Sequence, residues 1–182
     1  DRARVGGKGA NLGELVRAGF AVPDGFCVTA HAYRLHLERT GLDPRGSAGV
    51  LGAAIIAGPV PDPIAAAVGE ALARLGPGEV AVRSSAVDED SAGSSFAGQH
   101  DTLLGVHGQA AVLDALRACW ASLWSPRAVE YRRHGGRDAV ADMACVVQRM
   151  VPAEAAGVLF TADPVSGERD RLVLNVVAGL GE

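Results

Sequence analysis

The pattern of apolar and polar positions divides the chain into helices and short strands. Gly6, Gly7 and Gly9 surround Lys8, and apolar residues recur at Leu12, Leu15 and Val16 before Gly19. That spacing predicts a glycine-rich loop opening a short helix, with the lysine at the helix N-terminus. Val22-Pro23-Asp24-Gly25 reads as a turn and Phe26 to Thr29 as a strand, with Thr29 the N-cap of a helix through Tyr33, Leu35 and Leu37 to Gly41. Residues 42–61 are Gly- and Pro-rich and show no clear period. Asp62 as N-cap and Pro63 at the first helical position open a helix through Ile64, Val68, Leu72 and Leu75, stopped by Gly76-Pro77-Gly78. Val80-Ala81-Val82 predicts a strand, Ser84 to Gln99 a polar loop, and Leu103 to Val106 a further apolar segment. Val112, Leu113, Leu116, Trp120, Leu123 and Trp124 form a helical stripe in which both tryptophans read as core, and Ser125-Pro126 restarts a helix towards His134. Cys145 to Val151, Gly157 to Thr161 and Leu172 to Val177 read as adjacent strands of a sheet, so the fold class is α/β.

With 182 residues, 48% hydrophobic and 21% charged, the chain is long and apolar enough to build a core. Its net charge of -4 gives no general attraction to nucleic acid or an anionic membrane, so a small-molecule partner is expected. The most apolar stretch, Val50 to Val68, is interrupted by Pro59, Pro61, Asp62 and Pro63, and no membrane span is expected. Cys27, Cys119 and Cys145 are odd in number and set among apolar neighbours, which predicts buried thiols, no structural disulfide and a cytoplasmic location. Asp1 follows no basic-then-apolar leader and Glu182 comes directly after an apolar run, which reads as a piece of a longer chain.

Charge type changes the picture more than charge total. Lys8 is the sole lysine among 17 basic residues, in a chain whose default cation is arginine. A compact ammonium inside Gly6-Gly7-Lys8-Gly9 suits an anion held at a helix start. The loop is not a Walker motif, because Ala10 follows where that motif needs a Gly-Lys-Ser/Thr sequence, and the same residues also read as a glycine turn with a solvated lysine. Arg83, at the end of an apolar strand, precedes Ser84 and Ser85 and a loop with Asp88, Glu89 and Asp90; Ser94 to Gln99, with Gly98, and then Thr102 follow. These residues fit either close backbone approach to a ligand or a solvated loop with a salt-bridged arginine. Gln148-Arg149-Met150-Val151-Pro152 could present an N–H, a C=O and a soft apolar wall to a base, or could be an ordinary strand end. His31 and His36 are five apart, not the four of paired zinc ligands, and His100-Asp101 lacks a nucleophile signature.

In order along the chain, Gly6-Gly7-Lys8-Gly9-Ala10-Asn11-Leu12, Val22-Pro23-Asp24-Gly25-Phe26, Val82-Arg83-Ser84-Ser85-Ala86, Ser95-Phe96-Ala97-Gly98-Gln99, Gly157-Val158-Leu159-Phe160-Thr161 and Gly179-Leu180-Gly181-Glu182 resemble one family. It is the N-terminal ATP-grasp domain shared by phosphoenolpyruvate synthase, pyruvate phosphate dikinase and rifampin phosphotransferase. Phe26-Cys27-Val28-Thr29 and Thr161 to Gly167 look most like the rifampin phosphotransferases. The resemblance implies two α/β subdomains gripping ATP between them. The first would cover 1–147 with a phosphate-covering loop at 84–102, and 148–182 would be the hinge and the start of a truncated second subdomain.

It also implies roles. Lys8 and Arg83 would be catalytic phosphate ligands, Gly98 and Thr102 would lie in the covering loop, Gln148 and the Met150 backbone would face adenine, and Glu182 would lie near the nucleoside. ATP would be split to AMP, its β-phosphate passing through a histidine on a swivelling domain of the full-length chain to a small-molecule acceptor bound by another domain. None of His31, His36, His100, His107 or His134 has the Thr-rich, Gly-Gly surroundings of that carrier. Magnesium would accompany ATP, with its carboxylate ligands beyond Glu182. The acceptor stays open between a rifamycin antibiotic and pyruvate, and a nucleotide-binding module without turnover is the reading from another class.

Overall fold

The computed structural model describes residues 1–43, 46–87, 102–134 and 142–181, of which Tyr131, Arg133 and His134 by backbone alone. The chain forms two compact units, Asp1–Met150 and Val151–Glu182. The described elements of the first are α1 (Arg2–Arg17), β1 (Gly25–Val28), α2 (Ala30–Thr40), α3 (Ala48–Ala57), α4 (Asp62–Leu75), β2 (Val80–Ala86), β3 (Thr102–Val106), α5 (Gly108–Ser122), α6 (Pro126–His134) and β4 (Met143–Arg149). Its four strands form one antiparallel sheet in the order β1-β4-β2-β3.

Side chains alternate across this sheet, so its register sorts its residues by face. Val82 opposes Val147, Ser84 opposes Cys145 and Ala86 opposes Met143. Ser84 apart, these residues join Val28 and Val80 in a core that includes Tyr33 of α2, Leu51 and Ile55 of α3, Ile64 and Val68 of α4, and Val112, Leu116, Cys119 and Trp120 of α5. Fully burying each such large side chain contributes roughly 1.5–3 kcal/mol. Tyr33 is fully buried, accepts a hydrogen bond from Trp124 Nε1 at 3.0 Å, and burial pushes its phenol up to about 12. The other face carries Cys27, Ala144, Val146, Gln148, Arg83 and Ser85, and α1 lies against it.

Several expectations need correction. The segment at 42–61 contains a helix, α3, whose Leu51 and Ile55 turn inward four residues apart while Val50 and Ile56 stay exposed. Small Ala and Gly residues on every side hide that stripe in the sequence. Pro61, not Asp62, is the N-cap of α4. Ser84, Ser85 and Ala86 belong to buried strand β2 and not to the polar loop, because β4 pairs with all three, Ser84 opposite Cys145, Ser85 opposite Ala144 and Ala86 opposite Met143. The strand at 145–151 pairs with β1 and β2, whereas β5 (Ala155–Phe160) and β6 (Val173–Ala178) make their own antiparallel pair in the second unit. Cys119 and Cys145 are buried as expected, Cys27 only half so, and all three thiols are free.

The turn between β5 and β6 is organised by Asp163. Its carboxylate accepts from the N–H of Val165 at 2.7 Å and of Ser166 at 3.1 Å, which holds its pKa below the usual carboxylate range. Among the described residues no single helix is long and apolar enough to cross a membrane.

Candidate functional site

The glycine–lysine segment and the Arg83 strand meet through one hydroxyl, in contacts that span 76 and 80 residues of sequence. Ser85 Oγ donates to the Val5 carbonyl at 2.8 Å and accepts from the Gly9 N–H at 3.1 Å. Helix α1 is broken between these contacts, at Gly6, whose φ of 70° and ψ of 179° are not helical. A Cβ at Gly6 would lie 2.1 Å from the Ser85 carbonyl oxygen, and one at Gly9 would lie 3.1 Å from Cys27 Sγ. The glycines therefore let α1 dock tightly on the sheet. The loop expected to precede the helix is instead a helical turn capped by Asp1, whose side chain accepts from the Ala3 N–H. Lys8 sits half-buried in the first turn after the break, and the Gly9 N–H is committed to Ser85, not open to a ligand.

Arg83 precedes Ser85 by two positions and so shares its face of the sheet. It pairs with Val146 on one side and with Thr102, the exposed first residue of β3, on the other. As a residue Arg83 is half-buried, and its guanidinium has no ion-pair partner among the described residues. Gln148 lies on the same face, opposite Ala81 and Gly25. It is buried, and its Nε2 donates to the Pro23 carbonyl at 3.0 Å, which fixes the 22–25 turn. The Met150 N–H, two residues on, donates to the Glu79 carbonyl at 3.0 Å.

The fold thus brings Lys8, Arg83, Thr102 and Gln148 to one side of one sheet. Gly98 and Glu182 lie outside the described residues. Ser85, which joins the two cationic segments, was legible only as one of two hydroxyls after a strand. The signal that marks it is the pair of close-packing glycines in α1, which require a small partner carrying both a donor and an acceptor. Among the described residues no three His, Cys, Asp or Glu side chains gather as a metal site.

A half-buried cation on the sheet face that a glycine–lysine turn is docked upon fits an anionic ligand. The family model of the pyruvate phosphate dikinase AMP/ATP-binding domain matches residues 2–182. The chain belongs to this family. It is 48% identical over 202 residues to rifampicin phosphotransferase of Streptomyces sviceus, covering 99% of this chain and 23% of that protein. It is 44% identical over 183 residues to prodigiosin synthesizing transferase PigC of Serratia marcescens, covering 98% of this chain and 20% of that one. A probable phosphoenolpyruvate synthase of Methanothermobacter thermautotrophicus is 43% identical over 203 residues, with 98% of this chain and 29% of its own length matched. The chain spans 20% to 29% of the length of these relatives. The resemblance read from the ordered motifs holds at the level of the family, and the chain is one of its AMP/ATP-binding modules.

Proposed function

We propose that this chain is the nucleotide-binding part of a dikinase-type phosphotransferase, an ATP-grasp domain in which Lys8 and Arg83 hold the phosphates of ATP. Thr102 and Gly98 belong to the segment covering the phosphates, Gln148 and Met150 meet the base, and Glu182 lies near the nucleoside. The observation that supports this most directly is Arg83, half-buried without an ion-pair partner among the described residues, on the face where Ser85 holds the Lys8 turn. An arginine fork held on a sheet face with no carboxylate paired to it among the described residues suits a polyphosphate as its anion.

In the reaction, ATP, water and an acceptor give AMP, orthophosphate and the phosphorylated acceptor. The β-phosphate travels first to a carrier histidine on a swivelling domain outside this chain. Such a transfer asks the protein mainly for fixed positive charge and orientation. Lys8 contributes a point charge able to follow a shifting phosphate, and Arg83 a planar fork fixed by its strand. Among the described residues no three His, Cys, Asp or Glu side chains gather for magnesium, which would accompany ATP on carboxylates outside them. Rifampicin phosphotransferase at 48% identity favours a rifamycin-type antibiotic as acceptor, and the phosphoenolpyruvate synthase at 43% supports pyruvate as the second reading.

The test is AMP formation from ATP by the intact enzyme carrying this chain. Lys8→Ala and Arg83→Ala are each expected to lower turnover roughly 10²-fold or more while thermal stability barely moves, as loss of a transition-state charge ligand does. Lys8→Arg stays impaired, because it keeps the charge and changes its shape. Near-normal turnover in either alanine variant refutes the phosphate-ligand roles.

A further inference from the structure

The segment Gln148–Met150 is held from two sides. On one, Gln148 Nε2 donates to the Pro23 carbonyl at 3.0 Å and the Arg149 N–H to the Asp24 carbonyl at 2.8 Å. On the other, the Arg149 guanidinium donates through Nη1 to the Pro77 carbonyl at 3.1 Å and through Nη2 to the Leu75 carbonyl. These carbonyls close the C-terminal end of α4, where a cation also meets the negative end of the helix dipole. Gly76 at φ 88° and Gly78 at φ 127° curl the chain around the guanidinium in a conformation that side-chain-bearing residues avoid. A Cβ at Gly76 would lie 3.5 Å from Nη2, and one at Gly78 3.7 Å from Nη1. The next residue, Glu79, gives its carbonyl to the Met150 N–H at 3.0 Å.

We propose that Arg149 is a positioning residue for recognition of the nucleotide base: by clamping the Leu75–Gly78 turn it keeps Glu79 on the Met150 N–H, so that Met150 offers a base its carbonyl and not its amide proton. The inference rests on the assignment of Gln148 and Met150 to the base. A carbonyl accepts from the exocyclic amine of a 6-aminopurine and faces only another acceptor in a 6-oxopurine, a desolvated mismatch that is costly. Without the clamp the turn is released, the Met150 N–H is freed, and a donor becomes available to the 6-oxo group.

Arg149→Ala and Arg149→Lys are compared with the unaltered chain by titration with ATP, inosine triphosphate and inorganic tripolyphosphate. In Arg149→Ala the preference for ATP over inosine triphosphate is expected to fall about tenfold, the effect of one lost hydrogen bond, with tripolyphosphate binding unchanged. Arg149→Lys, which can still donate to one carbonyl, recovers part of that preference. Equal weakening of all three ligands, or an unchanged ATP preference, overturns the positioning role while leaving the nucleotide reading intact. All of these titrations use the intact enzyme carrying this chain: an unaltered enzyme that binds tripolyphosphate with no preference for ATP overturns the assignment of the base and this inference with it, and one that binds none of the three overturns the nucleotide reading itself. A ligand-free readout covers the case in which the alanine variant does not fold. The Met150 amide should exchange about threefold faster in Arg149→Lys, which keeps part of the clamp, while Val146, mid-strand, does not change, and equal exchange at Met150 overturns the clamp.

Discussion

His36 is the residue whose setting departs furthest from what its neighbours in sequence announce. It lies on α2 with no solvent exposure, its ring 5.1 Å from that of Trp120 and its Nε2 3.3 Å from the Ile55 carbonyl. Burial lowers its pKa, the Ile55 carbonyl opposes that, and the nearby Arg117 lowers it further. Above the unfolded value, near 6.5, both states hold a neutral ring and the stabilisation is complete. As pH falls below that value the unfolded chain takes up a proton that the folded chain refuses, so stability drops until the lowered folded pKa is reached, by at most about 1.4 kcal/mol per pH unit. The urea midpoint is therefore expected to be lower at pH 5 than at pH 7.5, with a smaller difference in His36→Gln, whose amide can still reach Ile55. Equal pH differences in the two proteins rule this out.

Among the elements, α1 owes its seat on the sheet to missing side chains. At Gly6 an alanine would need the left-handed region and would overlap the Ser85 carbonyl, whereas a Cβ at Gly13, in the same helix, meets nothing within 4 Å. Gly6→Ala is expected to destabilise by roughly 2–5 kcal/mol, the sum of the backbone and overpacking costs. Gly13→Ala is expected to be neutral or to stabilise by up to about 1 kcal/mol, through helix propensity. Urea unfolding of the pair measures both, and similar midpoints would mean that α1 is not docked through Gly6. Because Lys8 follows the break by two residues, the same experiment read through ATP affinity reports whether docking of α1 sets the phosphate site.

At the scale of the molecule the two units are unequal. Asp1–Met150 has helices on both faces of its sheet, whereas the described part of Val151–Glu182 holds two strands and no helix to cover either face. A two-stranded sheet by itself is marginal in water, since ordering its backbone is not offset by a buried face. Backbone amides of β5 and β6 are therefore expected to exchange at least about 100-fold faster than those of β2 and β4 in the unaltered chain. Comparable protection in both sheets would show that the smaller one gains cover that its own residues do not provide.

Much of this protein is legible from local sequence, because caps, glycine stops and periodic stripes act within a few residues of themselves. Thr29 and Gly41 bracket α2, Gly76 ends α4, and the Val112-to-Trp120 stripe faces the core of α5. The ordered glycine, arginine and small-residue motifs likewise point to the family. What depended on partners distant in sequence stayed hidden. Whether Ser84 and Ser85 are loop or buried strand is decided by β4, whose Cys145 and Ala144 pair with them. The strands at 145–151 and 157–177 look alike in sequence, and only pairing places them in different sheets. The glycines around Lys8 can be read as an open phosphate cradle until Ser85 and Cys27 are seen against them, where close packing accounts for Gly6 and Gly9. Arg149 is in sequence only a strand-end arginine, because its partners are the Leu75 and Pro77 carbonyls, which reach it only once the end of α4 lies beside β4.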